Sequence, residues 1–392
     1  MNMPHKYAAH ALYDLRFLII VEHIFAFCRR SCYHIIMSEE NYYSERDKEN
    51  NLKIRKILRE ELPRLCGEYF IGVQTRTTPL TRLGYAQDLC VFFDFLFTEV
   101  DEFAHCDKDN FTYADLDRVT ATHIEVFMDY LSFYTYGGRN FSNSLKTKSR
   151  KLSTLKSFFK YYYNKDRIKA NPAAKVATPK IKDKPILRLD GDEVDELLDL
   201  VDSDTDVHES SKRLISFREH TRKRDLAILT LFLSTGIRIS ELVGLNIDDI
   251  DFKANAFKVT RKGGAQSILY FTEETATALG DYLDERAAQQ LIEGYPALFL
   301  SLQKRRITVR AVENLVKKYA SIVTPLKNIT PHKLRSTFGT SLYNETSDIY
   351  VVAEILGHRD INTTKRHYAA ISEQIKKDAA GKVRLRKDKK DE

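Results

Sequence analysis

Four segments in the second half of this 392-residue chain carry residue types that can hold an anion and move a proton beside it. They are Thr235-Gly-Ile-Arg-Ile-Ser-Glu-Leu242, the turn around Lys262, His332-Lys-Leu-Arg335, and Leu356-Gly-His-Arg-Asp-Ile-Asn-Thr-Thr-Lys-Arg-His-Tyr368. A guanidinium stays charged at any relevant pH and offers paired donors in one plane, the geometry a phosphate wants. Taken singly, each segment has a plainer reading. Arg238 and Glu241 have the spacing of a surface ion pair worth little. Lys262 in a turn suits solvent. His332 and Arg335 lie one helical turn apart, behind a Pro331 that suits a first helical turn. His358 after Gly357 suits a helix end, and Tyr368 suits packing.

In this order along one chain the segments resemble the tyrosine recombinase (phage integrase) family, in its Xer-like form. The family pattern is an Arg in T-G-x-R-x-x-E-L, a Lys on a β-hairpin, H-x-x-R, G-H, and a Tyr about ten residues on. Tyr368 lies ten residues after His358, and Thr363-Thr364-Lys-Arg-His367-Tyr368 matches the family's Thr-Thr-x-x-His-Tyr version, with His367 read as accidental or structural. The resemblance covers about residues 184–380, and more loosely the helical region before them. It implies a site-specific recombinase that cuts and rejoins double-stranded DNA through a 3′-phosphotyrosyl link, without metal, ATP or other cofactor. Attack on a phosphodiester builds negative charge on two non-bridging oxygens. Arg238 and Arg335 would hold them, and losing one such donor costs about a hundredfold to a thousandfold in rate.

The resemblance assigns the remaining roles. Tyr368 is the nucleophile, and its ordinary pKa of about 10 has to be met by a nearby base and the two cations. His332 is the base, His358 assists at the phosphate, Lys262 protonates the departing 5′ oxygen, and Glu241 orients Arg238. The phosphotyrosyl ester keeps the bond energy, so rejoining needs no ATP. Strand exchange implies four sites around two duplexes, hence a homo-tetramer on DNA or a hetero-tetramer with a related chain. Residues 372–380 would dock on a neighbouring subunit. Two rivals stand beside this reading. A type IB topoisomerase shares the tyrosine chemistry but generally lacks the histidine that His332 supplies. A DNA-binding protein of the same fold would bind without cutting.

The elements that must position these residues fall into two domains, as the length suggests. The expected fold is mainly α with a small β-sheet in the catalytic domain, a helical core-binding domain and a catalytic domain forming a DNA clamp. Residues 50–168 read as the helical, SAM-like core-binding domain. Apolar stripes at helical spacing run through Leu80, Leu83, Tyr85, Leu89, Val91, Phe92, Phe95 and Leu96, then Ile124, Phe127, Met128 and Leu131. A third runs through Leu152, Leu155, Phe158, Phe159 and Tyr162. Residues 169–185, with three prolines from Pro172 to Pro185, read as a basic extended linker. Residues 186–380 form the catalytic domain, with hairpin strands at Ala256–Thr260 and Ser267–Phe271 around Arg261-Lys-Gly-Gly264. Residues 381–392 are a basic tail.

Net charge is +7, too modest to name a partner, so its placement decides. Between Lys146 and Lys184 thirteen basic residues face only Asp166 and Asp183. Such one-sided charge suits a polyanion, since each cation near a phosphate releases counterions. Lys146, Lys148, Lys151, Lys156 and Lys160 are the candidate DNA contacts. Glycine-rich phosphate loops, His-Glu-x-x-His and paired-carboxylate metal motifs are missing from the sequence, against metal- or nucleotide-driven phosphoryl chemistry. Five cysteines, Cys28 to Cys106, form no disulfide framework, which fits a reducing cytoplasm. Cys28 and Cys32 near His23 and His34 fit no standard zinc spacing. The apolar run Phe17–Phe27 is too short and interrupted to span a bilayer and lacks a signal cleavage site. Residues 1–36 read as an extension upstream of a translation start at Met37.

Overall fold

The computed structural model describes residues 42–181, 187–203, 220–261, 264–289, 295–357, 360, 361 and 364. The expected start at Met37, the His23 to His34 grouping, the 372–380 segment and the basic tail lie outside them. The chain divides between Asp183 and Lys184 into two compact units, mostly helical with small antiparallel sheets.

The helical unit holds α1 (Tyr42–Glu60), α2 (Cys66–Gly72), α3 (Pro79–Glu99), α4 (Tyr113–Arg118), α5 (Ala121–Tyr130) and α6 (Leu145–Tyr163). Side-chain hydroxyls cap the starts of α3 to α6: Thr78, Thr112, Thr120 and Ser144 each accept a first-turn N–H. The core is aromatic. Phe158 meets Tyr69, Phe93 and Tyr162 with ring centroids 5.2, 5.9 and 5.0 Å apart, and Phe92 meets Phe127 at 5.1 Å, all edge to face.

Three sequence expectations change here. Leu80, placed in the first apolar stripe, is 56% exposed in the opening turn of α3. A hairpin, β1 (Tyr134–Tyr136) and β2 (Arg139–Phe141), interrupts the helices, turning through Gly137 and Gly138, both at positive φ. The expected linker is partly fold: Pro172–Lys175 forms a 3-10 turn, and Ala173 and Val176 are buried in the helical core.

The second unit, expected from the sequence to be catalytic, is organised on α8 (Arg222–Thr235), whose Ala227, Ile228, Leu229, Leu231 and Phe232 are wholly buried. Around it lie α7 (Gly191–Asp202), α9 (Ile239–Gly244), α10 (Glu273–Ala287), α11 (Val309–Val323), α12 (Pro331–Thr346) and α13 (Ile349–Leu356). A three-stranded antiparallel sheet runs β3 (Ile250–Asp251), β4 (Ala256–Thr260), β5 (Gln266–Tyr270), with Val259 opposite Ser267. Phe257 and Val259 turn inward while Lys258 is exposed, the alternation of a sheet with one solvated face. No helix of the described residues is long and apolar enough to cross a membrane. Truncating Phe158, at the centre of the aromatic cluster, leaves a cavity that rigid neighbours cannot fill. Phe158→Ala is expected to cost about 3–5 kcal/mol, seen as an early helical-unit transition in urea denaturation followed by circular dichroism.

Candidate active site

The site starts where α8 ends. Gly236 takes the left-handed conformation, φ 60°, and its N–H donates to Phe232 O at 3.0 Å, closing the helix. A β-carbon there would run into Phe338 and come within 2.9 Å of Leu356 Cδ2, so glycine is demanded twice over. Two residues on, Arg238 caps α9. Its backbone N–H donates to Glu241 Oε2 at 3.0 Å and its Nη1 to Glu241 Oε1 at 2.9 Å. The pair is therefore no surface bridge: Glu241 is 3% exposed and fixes both the backbone and the guanidinium of Arg238.

Arg335 comes from α12, which Pro331 starts at its first position. It is buried, and its two Nη groups donate to Gly236 O and Leu356 O. Those carbonyls end α8 and α13, so one guanidinium ties two helix C-termini together. Gly357, also left-handed at φ 60°, closes α13, and its carbonyl accepts from Arg238 Nη2 at 2.9 Å. Carbonyls left over at a helix C-terminus carry partial negative charge and attract cations.

A third arginine joins them, one that the sequence alone presents only as a neighbour of Lys262. Arg261, at the end of β4, donates from Nη2 to Ile355 O at 3.1 Å and from Nη1 to Leu356 O at 3.4 Å. Its Nη1 also lies 3.6 Å from Glu241 Oε2. Burial lowers its pKa from the ordinary arginine value; Glu241 opposes the drop and Arg238 adds to it. Its Nε is buried with no hydrogen-bond partner. The sequence alone carries no signal for it: the contact is marked in space by Gly357, where a β-carbon would sit 2.9 Å from the Arg261 guanidinium. Three guanidiniums against one carboxylate leave this cluster two positive charges in excess. Such an excess suits a phosphate.

Of the sequence candidates, the structure brings together Arg238, Arg335 and Glu241. His332 is exposed in the first turn of α12, one turn before Arg335. Lys262, His358 and Tyr368 lie outside the described residues. Their chain neighbours do not: Arg261 and Gly264 close the hairpin by a 3.0 Å backbone bond, and Gly357 is in the cluster.

In the helical unit Lys146 and Lys160 are exposed on α6, while Lys148 and Lys156 are half-buried, donating to Ser132 Oγ at 2.6 Å and Thr178 Oγ1 at 3.0 Å. Lys151 departs from the expected DNA-facing role. It is buried, and its ammonium is 3.1 Å from the Asp88 carboxylate, which takes up its charge inside the fold.

Among the described residues, one group of metal-ligating side chains gathers within 4.8 Å: His105, Cys106 and Asp115 of the helical unit. Asp115 is already occupied, accepting from Thr112 N–H at 2.9 Å and Thr112 Oγ1 at 2.7 Å. Burial pushes the Cys106 thiol pKa up, which disfavours the thiolate a metal needs. The group belongs to a helix cap.

Residues 188–374 match the phage integrase family. Tyrosine recombinase XerC of Caldanaerobacter subterraneus is 34% identical over 320 residues, covering 80% of this chain and 83% of the relative. Tyrosine recombinase XerC of Thermodesulfovibrio yellowstonii is 38% identical over 226 residues, covering 57% of this chain and 70% of the relative. The fold is similar to that of the XerH site-specific recombinase bound to a palindromic difH substrate, with a TM-score of 0.55 and 20% identity. That match covers 78% of this chain and 80% of the other. With its arginine cluster, and with relatives of this likeness over most of its length, the chain belongs to the tyrosine recombinase (phage integrase) family, the enzymes of site-specific DNA recombination.

Proposed function

We propose that Tyr368 is the nucleophile of this recombinase and that Arg238 and Arg335 hold the scissile phosphate of double-stranded DNA. The observation that carries the reading is the convergence of both arginines, with Glu241, on the turns ending α8 and α13. Donors fixed before substrate arrives cost no reorganisation when charge develops on the phosphate oxygens. Tyr368 Oη attacks phosphorus and the bond to the 5′ oxygen breaks. His332, with His358 assisting, takes the tyrosine proton, and Lys262 gives one to the departing oxygen. The 3′-phosphotyrosyl link then accepts a 5′ hydroxyl from the partner strand, which reverses the chemistry with no external energy source.

Arg261 is a positioning residue in this scheme. It precedes Lys262 directly, and its side chain is bonded to the carbonyls just before Gly357 and His358. It thus links the strand that leads to the acid with the helix that leads to the second histidine. The exposed lysines Lys146 and Lys160 suit the DNA backbone, Lys148 and Lys156 lie beside them on α6, and Lys151 holds the fold. Strand exchange requires four such sites, so the working assembly is a tetramer of this chain on two duplexes, in the cytoplasm where the DNA is. A hetero-tetramer with a related chain is the variant form.

Two variants test the scheme. A nicked suicide duplex carrying the recombination site should trap a covalent protein–DNA adduct with wild type. Tyr368→Phe should give none while still shifting that duplex. A persisting adduct would show another nucleophile, and a shift without adduct from wild type itself would favour a binding protein that no longer cuts. Arg335→Lys keeps the charge but loses the fork that reaches both helix ends. Cleavage by Arg335→Lys is expected to fall about a hundredfold to a thousandfold in single-turnover assays, with DNA affinity little changed.

A further inference from the structure

We propose that Arg150 reads a guanine edge in the recombination site and that Asp88 is the residue that aims it. The inference rests on the reading of α6 as a DNA-facing helix. Helix α6 buries Leu152, Leu155, Phe158, Phe159 and Tyr162, and leaves Lys146, Arg150, Ser153 and Lys160 exposed. Those four follow one another at three-, four- or seven-residue steps, so they share one outward face.

Arg150 differs from the lysines on this face because it is held. Its Nη1 donates to Asp88 Oδ2 at 2.5 Å and its Nη2 to Asp88 Oδ1 at 2.6 Å. Asp88 sits on α3 with a side chain only 2% exposed. It also accepts from Thr154 Oγ1 at 2.8 Å and from Lys151 Nζ at 3.1 Å. Four donors thus occupy its two oxygens. Gly84, one turn before Asp88, lies beside Arg150: an added β-carbon would make ordinary van der Waals contact with Nη1, at 3.8 Å.

The arrangement exceeds what charge compensation needs. Lys151, with a side chain 7% exposed, already balances the Asp88 carboxylate inside the fold. Arg150 is a second cation on the same group, and its side chain remains 54% exposed. The end-on pairing through Nη1 and Nη2 leaves the Nε–H and the outer Nη2–H, two parallel donors along one edge of the guanidinium. That edge matches guanine O6 and N7 in the major groove, where a helix fits.

A phosphate contact would be served worse by this design. Phosphates are held by charge, which a flexible lysine supplies, as Lys146 and Lys160 can. A carboxylate behind Arg150 weakens its attraction for phosphate and fixes the direction of its donors. Direction is what base readout requires, because a fork that swings freely meets acceptors of several bases.

The test is selection of duplexes from a randomised library by the full-length protein, followed by affinity measurement at several salt concentrations. Wild type should select a fixed G·C pair in the half-site protected by the helical unit. Arg150→Lys and Arg150→Ala should lose preference at that one pair, by about tenfold or more, and keep the others. Asp88→Asn, checked by thermal unfolding to remain folded, should relax the same position. A Lys146→Ala/Lys160→Ala pair should weaken all sequences alike and lower the salt slope by about two. If that lysine pair binds as wild type does, the DNA-face reading fails and the proposal with it. If the lysine pair weakens binding but Arg150→Lys keeps every base preference, the face stands and base reading by Arg150 is refuted. Base reading is refuted as well if Arg150→Ala weakens all sequences equally with a salt slope lower by about one, the signature of a phosphate contact.

Discussion

The catalytic unit depends on one buried guanidinium. Arg335 is 7% exposed, a position where a charge is costly unless its donors are met. They are met by the carbonyls of Gly236 and Leu356, which helix geometry leaves open at the ends of α8 and α13. Each partner answers the other's need: the carbonyls lose an unsatisfied acceptor and the cation gains a cage. The remaining cluster depends on that joint. Arg238 reaches Gly357 O, and Arg261 reaches Ile355 O, only because α13 ends beside the turn that closes α8.

Two left-handed glycines make the approach possible. At Gly236 a side chain would collide with Phe338, and at Gly357 with the Arg261 guanidinium. Both residues combine a positive φ with a close neighbour, so an alanine would be strained in its backbone and crowded in space. The consequence is a site whose cations point at helix ends before any DNA is present. Such preorganisation of guanidiniums is one route to a fixed anion site.

Much of this is legible in the sequence, for reasons that differ by residue. Arg238, Glu241 and Arg335 stand in spaced motifs, and order along the chain is one-dimensional information. The hairpin strands Ala256–Thr260 and Gln266–Tyr270 are marked by alternation and by glycines in the turn. Arg261 is not legible, because its neighbour in space, Gly357, is 96 residues away and marks the contact by lacking a side chain. The β1–β2 hairpin is hidden among aromatic residues that fit a helix stripe as well as a short strand. Lys151 misleads because charge runs say how many cations a segment has and nothing of which one turns inward. Pro172 breaks periodicity as a linker would, yet Ala173 and Val176 beside it pack into the helical core.

The two units meet the same problem in the same way. A protein for a polyanion needs cations, and cations left to themselves are mobile and repel one another. Glu241 is buried between Arg238 and Arg261, and Asp88 between Arg150 and Lys151. Each carboxylate has two cations and is satisfied by more donors than a simple pair would give it. Burying a carboxylate is unfavourable by itself, and a buried ion pair is a poor source of stability. What it supplies is direction: the planar arginine fork keeps its orientation while the cluster as a whole stays positive. As proposed, the ordered direction faces a phosphate in the catalytic unit and a base in the helical unit. A rigid cation is worth its desolvation where geometry decides the outcome, and a flexible lysine serves where charge alone does. That division accounts for why exposed Lys146 and Lys160 have no such carboxylate behind them among the described residues, and why Arg150 and Arg238 do.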